Sequence, residues 1–240
     1  MDINCDFGES FGAYTLAHNE AILPYVTSVN IACGFHAGDP MVMQKTVQQA
    51  LKHQVNIGAH PGYPDLQGFG RRAMTLSAQE IYALMMYQMG ALQGFVQVAG
   101  GTLHHVKPHG ALYNQSANDE TMANAIIAAI LDFNPKLILY CLSGSKMAKL
   151  AKAQGLAVYE EVFADRNYNA DGSLVSRQQH NAMIEDEAYM LQHVERLIKH
   201  SQVQTITNEI LTVNAQTICI HGDGAHALAF AKEVYQLQQR

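Results

Sequence analysis

Short apolar runs recur along the chain, each too short for a helix and bounded by polar or Gly-containing segments. They fall at Asp2–Cys5, Ser28–Ala32, Val55–Ala59, Leu103–Lys107, Lys136–Cys141, Ala157–Val162 and Thr217–Ile220, and they read as buried strands. Helical patterns separate most of them. Asp39-Pro40 supplies an N-cap followed by proline at the first helical position. Ser77-x-x-Glu80 is a capping box, and Ile81, Leu84, Met85, Gln88, Leu92 and Phe95 continue mostly on one helical face. Further helices are expected over Asp119–Asp132, Lys146–Gln154, Glu185–His200 and Ala225–Gln238.

Alternating strands and helices imply a parallel sheet with crossover connections. About seven such units predict an α/β fold, a TIM-barrel-like (β/α)7 barrel closed or nearly closed. The competing architecture is a doubly wound open sheet. Its nucleotide-binding forms favour a Gly-rich turn after the first strand, and Asp6-Phe7-Gly8-Glu9-Ser10 matches that poorly. No linker, repeat or low-complexity tract divides residues 1–240, so one barrel domain is expected.

Composition narrows the class further. With 48% hydrophobic and 15% charged residues the chain is of ordinary globular type. A net charge of −6 and the lack of a Lys/Arg-rich stretch argue against nucleic acid as the main partner. Cys5, Cys33, Cys141 and Cys219 are far apart, form no C-x-x-C pair and sit in or beside apolar runs. Free thiols in a reducing cytoplasm are the expectation. The first residues carry neither the basic nor the apolar stretch of a signal peptide, and no apolar run approaches the roughly 20 residues that span a bilayer.

Nearly every predicted strand runs straight into a titratable side chain. These are Asp6 and Glu9, then His36 and Asp39, His60, Lys107-Pro108-His109, Asp165-Arg166, and His221-Gly222-Asp223. Parallel barrel strands all end on one face, so these groups converge on one mouth. A lone histidine at a strand end is often only a hydrogen-bonded structural group; four at matching positions, His36, His60, His109 and His221, carry more weight. Asp39 reads as a helix cap. His18, His53, His193 and His200 fall on helical patterns and read as surface or packing residues. His105 and His109 have H-x-x-x-H spacing, but Pro108 breaks the helix such a zinc motif needs; read as a strand, His105 points into the barrel or is merely buried. Two long segments, His60–Thr75 with Arg71-Arg72 and Asp165–Arg177 with Arg166, read as mouth loops. The paired arginines suit a carboxylate or phosphate, or are a solvated basic pair.

Four blocks carry a resemblance. They are Asn4-Cys5-Asp6-x-Gly8-Glu9-Ser10, Asn30-x-Ala32-Cys33-Gly34-x-His36-Ala37-Gly38-Asp39, Gly58-Ala59-His60-Pro61-Gly62-Tyr63-Pro64-Asp65 and Lys107-Pro108-His109-Gly110-Ala111-Leu112-Tyr113-Asn114. With them the chain resembles the LamB/YcsF family from residue 2 through the His221 segment. The resemblance implies the A-component role in prokaryotic 5-oxoprolinase: ATP-dependent opening of 5-oxoproline to glutamate, together with partner subunits B and C. It also implies a seven-stranded barrel of the glycoside hydrolase/deacetylase type.

A lactam is a poor electrophile, and phosphorylating its oxygen explains the need for ATP. The chain has no G-x-x-x-x-G-K-[ST] element, so activation is expected to be shared with, or done by, subunits B and C. Asp6 or His60 is then the expected general base, with His109 and His221 protonating the departing nitrogen or stabilising the oxyanion. Asn4, Glu9, His36, Arg71, Lys107, Asp165 and Arg166 are the candidates for holding substrate, with Arg72 as an alternative carboxylate ligand. Two other readings stay open. Distant deacetylase relatives bind a divalent metal through Asp and two His, which Asp6, His36 and His60 would imitate as a metal-dependent amide hydrolase. The chain would otherwise be a non-catalytic small-ligand-binding subunit.

Overall fold

The computed structural model describes residues 1–15, 20–220 and 227–239. Strands β1 (Asp2–Phe7), β2 (Ser28–Ala32), β3 (Asn56–His60), β4 (Leu103–Val106), β5 (Ile138–Leu142) and β6 (Ala157–Phe163) follow one another around a barrel. A short antiparallel hairpin comes next, β7 (Gln202–Gln204) with β8 (Ile210–Thr212). Strand β9 (Thr217–Ile220) then pairs in parallel with β6 on one side and β1 on the other, closing seven strands into a ring. Closure rules out the open doubly wound sheet, and each predicted strand has its counterpart.

Helices α1 (Pro40–Lys52), α2 (Ala78–Val98), α3 (Gly110–Ser116), α4 (Glu120–Phe133), α5 (Lys146–Ala153), α6 (Glu187–His200) and α7 (Ala227–Gln239) surround the ring. Their starts follow local chemistry. Asp39 Oδ1 accepts from the Met41 and Val42 amides, confirming it as the α1 cap. Ser77 and Glu80 close the capping box of α2. Helix α3 departs from the sequence expectation: Gly110 directly follows His109, so the β4 loop passes into a helix almost at once. A 3-10 turn over Glu20–Tyr25 and the β7–β8 hairpin are further additions, and their segments are short or polar.

Strand side chains alternate between two environments. Ile3, Cys5, Phe7, Val29, Ile31, Ile57, Ala59 and Val106 face the helices and join their apolar stripes in the main core. Asn4, Asp6, Asn30, His60, His105 and Glu161 lie on the other face, inside the ring, and all are buried. Apolar packing between sheet and helices thus supports a polar interior. All four cysteines are free and buried. Among the described residues, no helix is long and apolar enough to cross a membrane.

Candidate active site

The polar interior is a connected hydrogen-bond network. At its base His105 Nε2 donates to Asn30 Oδ1 at 2.7 Å, and the His105 ring stacks on Tyr140. His105 therefore points into the barrel, as strand periodicity expects. Asn30 Nδ2 reaches Asn4 Oδ1 at 2.7 Å and Asp6 Oδ1 at 2.8 Å. Asn4 Nδ2 in turn donates to Glu161 Oε1 and Thr217 Oγ1.

Lys107, only 3% exposed, sits at the centre of this network. Its Nζ lies 2.8 Å from Glu161 Oε1, 3.1 Å from Asp6 Oδ1, 3.2 Å from Asn4 Oδ1 and 3.1 Å from Cys219 Sγ. Burial opposes the charged ammonium, but Asp6, Cys219 and Glu161 together outweigh it and hold the Lys107 pKa well above the usual range. Lys107 is therefore a fixed cation.

One layer higher, four residues meet at the strand ends. Each offers one ligand-type atom, and these atoms of Glu9, His36, His60 and His109 all lie within 4.8 Å of one another. His60 Nδ1 is 2.7 Å from the Lys107 carbonyl oxygen, and His109 Nε2 is 2.8 Å from the Phe69 carbonyl oxygen. A carbonyl only accepts, so both of those nitrogens carry hydrogen. The remaining nitrogens, His60 Nε2 and His109 Nδ1, face each other at 2.9 Å. Two neutral rings would point lone pairs at one another across this gap. One shared proton or a bound cation resolves the conflict, and the surrounding carboxylates favour either. Asp6 Oδ2 is 3.4 Å from His60 Nε2, and Glu9 Oε1 is 3.6 Å from His109 Nδ1. His36 Nε2 is 3.1 Å from Glu9 Oε1, and its ring stacks on His109 with centroids 3.7 Å apart. Burial, then the neighbouring imidazole rings, push the pKa of His36 and of His109 well below the usual value.

The loop after β3 holds this cluster in place. Its Phe69-Gly70 turn has φ of 54° and 63°, the left-handed region. At Gly70 a Cβ would come within 2.8 Å of both His109 and His36, so only glycine lets the turn approach. The turn is fixed by Gly70 N–H to Asp65 O and by Ala111 N–H to Gly70 O, both 2.9 Å. Arg72 forks onto Asp65 within the same loop.

Above the histidines opens a cavity of about 560 Å³. Asp6, Glu9, His60, Lys107 and His109 form its floor, with Arg71 and Arg72 from one mouth loop and Arg166 from the other on its walls. The convergence expected of the strand ends is thus present for these residues. Asn4 and His36 are not on the cavity surface; Asn4 lies a layer deeper and His36 behind His109. Asp165 is half-buried beside Arg166 and does not line the cavity. His221 lies outside the described residues. Of the candidate metal set Asp6, His36 and His60, the two histidines converge with Glu9 and His109, while Asp6 holds Lys107 and Asn30 through Oδ1 and faces His60 with Oδ2 at 3.4 Å.

Asn30, Tyr113, Glu161 and Cys219 belong to the site or its support without standing out in the sequence. For Asn30 a signal is present, a polar residue inside an apolar strand.

A family model described as the LamB/YcsF family matches residues 1–240. The chain belongs to this family. Over 98% of its length it is 52% identical to a Bacillus cereus protein named as the A subunit of 5-oxoprolinase, covering 94% of that protein. A Geobacillus kaustophilus protein of the same name is 54% identical over 100% of this chain and 93% of its own length. The crystal structure of a lactam utilization protein from Thermus thermophilus superposes with a TM-score of 0.92 at 41% identity, covering 99% of this chain and 95% of that one. The seven-stranded ring is therefore an architecture this LamB/YcsF chain shares with a solved relative.

Proposed function

We propose that this chain is the ring-opening component of a 5-oxoprolinase, its A subunit, converting 5-oxo-L-proline to L-glutamate at the cavity floor. The observation that carries the reading is the pair of facing nitrogens on His60 and His109, beside Asp6 and Glu9, in a chain whose near-full-length relatives bear that enzyme's name. ATP is the co-substrate and subunits B and C the partners in this reading. Four buried free thiols suit the cytoplasm as its compartment.

In the proposed reaction a partner transfers the γ-phosphoryl group of ATP to the lactam oxygen, releasing ADP and the ring N–H proton. Water then adds to the ring carbon, and its proton passes to Asp6, which lies beside His60 and later returns it to the histidine pair. Breaking the C–N bond requires a proton on the leaving nitrogen. The shared His60–His109 proton is placed to supply it, and the ring opens to an acyl phosphate. A second water releases phosphate and leaves glutamate. Without nitrogen protonation the adduct would lose phosphate and return the lactam, so the histidine pair decides between productive and futile collapse. Lys107 remains charged throughout and balances Asp6 and Glu161.

The same converging donors favour a second reading, in which a divalent metal occupies the cluster. Three imidazoles and a carboxylate are a donor set suited to zinc and similar ions. Glu9, His36, His60 and His109 would hold it. Such an ion would polarise the lactam oxygen or acidify a water.

The test is glutamate release from 5-oxoproline and ATP, by this chain alone and with subunits B and C added, alongside elemental analysis of the purified chain. Turnover in the mixture, lost in His60→Ala, is the expected result. Turnover by the chain alone would refute shared activation. Stoichiometric metal, with activity lost on chelation and restored on reloading, would select the metal reading over the shared proton.

A further inference from the structure

The Phe69 carbonyl that meets the ring of His109 sits in a turn that needs support from outside itself. Phe69 is not glycine, yet its φ is 54°. That left-handed conformation is unfavourable for an L-residue and persists only where the surroundings impose it. Glycine would relieve the backbone but lose the Phe69 ring, which stands edge-on to His36 and to His109 with centroids 5.6 and 5.2 Å apart. The backbone must therefore be held by something else.

Asp65 supplies that hold. It is 5% exposed, and its carboxylate spans the turn from one end to the other. Oδ1 accepts from the Gly68 amide at 3.0 Å, and Oδ2 from the Arg72 amide at 3.4 Å. The Arg72 side chain closes over the same group, its Nε lying 2.9 Å from Oδ1 and 3.1 Å from Oδ2. Chiefly through this pairing with Arg72, the Asp65 carboxyl stays below the usual carboxylate range. Gly68 lets the two side chains meet, since a Cβ there would overlap Asp65 Oδ2 and Arg72 Nε.

The position of the turn decides where His109 carries its hydrogen. With Phe69 O at 2.8 Å, Nε2 must be protonated, and Nδ1 turns its lone pair toward His60. Releasing that carbonyl would free the hydrogen to move to Nδ1. Nδ1–H would then donate to His60 Nε2 in an ordinary hydrogen bond. Two neutral rings would satisfy the gap, and it would need neither a shared proton nor a cation. A carboxylate four residues before Phe69 thus governs whether the histidine pair is reactive or inert.

We infer that Asp65 is a positioning residue: its clamp on the turn through Gly68 and Arg72 keeps Phe69 O on His109 Nε2, and so keeps the His109 Nδ1 lone pair in the gap. The tautomer follows from the geometry alone. Its consequence for turnover rests on the ring-opening reading. It is the same for a metal at the cluster, because a ligating nitrogen also needs its lone pair and a partner that orients its ring.

The experiment reads the His109 tautomer directly, by nitrogen NMR on the full-length chain carrying isotope-labelled histidine, with a chelator present. His109 is assigned by the signal lost in His109→Gln. Hydrogen on Nε2 is expected in the wild type, moving toward Nδ1 in Asp65→Ala and in Gly68→Ala. Gly68 meets only side-chain atoms, so its variant keeps the test valid should Asp65→Ala fail to fold. Hydrogen on Nδ1 in the wild type, or on Nε2 in every folded variant, would overturn the clamp. In the complex with B and C, kcat for glutamate release should fall about 10–100-fold in the variants, the usual range for losing a group that orients a functional histidine. KM for 5-oxoproline should change less. An undiminished kcat in a variant whose tautomer has moved would overturn the positioning role. A wild-type complex that releases no glutamate would defeat the ring-opening reading, whereas the NMR result would still decide the clamp.

Discussion

His60 Nε2 and His109 Nδ1 stand 2.9 Å apart because each ring has committed its other nitrogen to a backbone carbonyl, Lys107 O and Phe69 O. The backbone therefore selects the tautomers, and the tautomers leave a gap that needs one proton or one cation. Removing either ring abolishes that requirement. His109→Ala is expected to lower glutamate release by the reconstituted complex about 10²–10⁴-fold, the usual range for a lost acid–base group. Assembly of the complex, checked by gel filtration, should persist. A His109→Ala complex turning over at the wild-type rate would remove the pair from the chemistry.

Gly58 makes room for His105. A Cβ built at Gly58 would overlap the His105 ring, although the Gly58 backbone itself is not in the left-handed region. Gly58→Ala should therefore act by displacing His105 from Asn30, and through Asn30 should disturb Asp6. Overpacking of this kind costs about 1–3 kcal/mol. Both a lower Tm and a weaker kcat are expected, and partial recovery is expected in Gly58→Ala/His105→Ala, where the clash is gone. An unchanged Tm in the single variant would show that the ring can move freely.

How much of this is legible in the sequence follows from period and position. The strands announce themselves as short apolar runs, and barrel closure follows from their number. Asp6, Glu9, His60, Lys107 and His109 stand out because each lies at a strand end or just beyond it, and parallel strands bring those ends together. Glu161 escapes because Glu160 precedes it in the same strand: a Glu-Glu pair reads as solvated, and only the register shows that one member faces the interior. Glu160 instead pairs with Lys152. The role of Phe69 is hidden for another reason. It acts through its carbonyl oxygen, which no side-chain pattern reports. Helix α3 escapes because Pro108 and Gly110 both suggest a loop, whereas here they start a helix.

Acid should destabilise the fold through His105. Burial, then His104, Lys107 and His60, push its pKa well below 6.5, with Asp6 opposing weakly. The unfolded chain takes up this proton near pH 6.5, while the folded chain does not. Stability is therefore fully present above pH 6.5 and falls as pH drops below it, by about 1.4 kcal/mol per pH unit for one such group. His36 shifts in the same direction and steepens the loss. Urea unfolding from pH 7.5 to 5 should show this slope, and His105→Gln should flatten it. A slope unaffected by that substitution would place the acid sensitivity elsewhere.

Lys107 and Glu161 provide the sharpest test of the polar interior. Both are buried, they are 2.8 Å apart, and Asp6 and Asn4 complete the arrangement. Lys107→Met removes the cation in contact with two carboxylates and leaves both uncompensated, a change that costs about 3–5 kcal/mol. For a chain of this size that corresponds to a Tm lower by about 6–20 °C. Glu161→Gln leaves Asp6 as counterion to Lys107 and keeps the hydrogen-bond geometry, so its cost should be smaller. The double variant should be more stable than Lys107→Met alone, because one of the two stranded charges is gone, yet less stable than wild type because Asp6 remains. If Lys107→Met melts at the wild-type temperature, the ammonium does not balance these carboxylates. If it is destabilised and the double variant recovers nothing, the cost arises from lost packing against Phe163, whose ring lies 5.4 Å from Nζ.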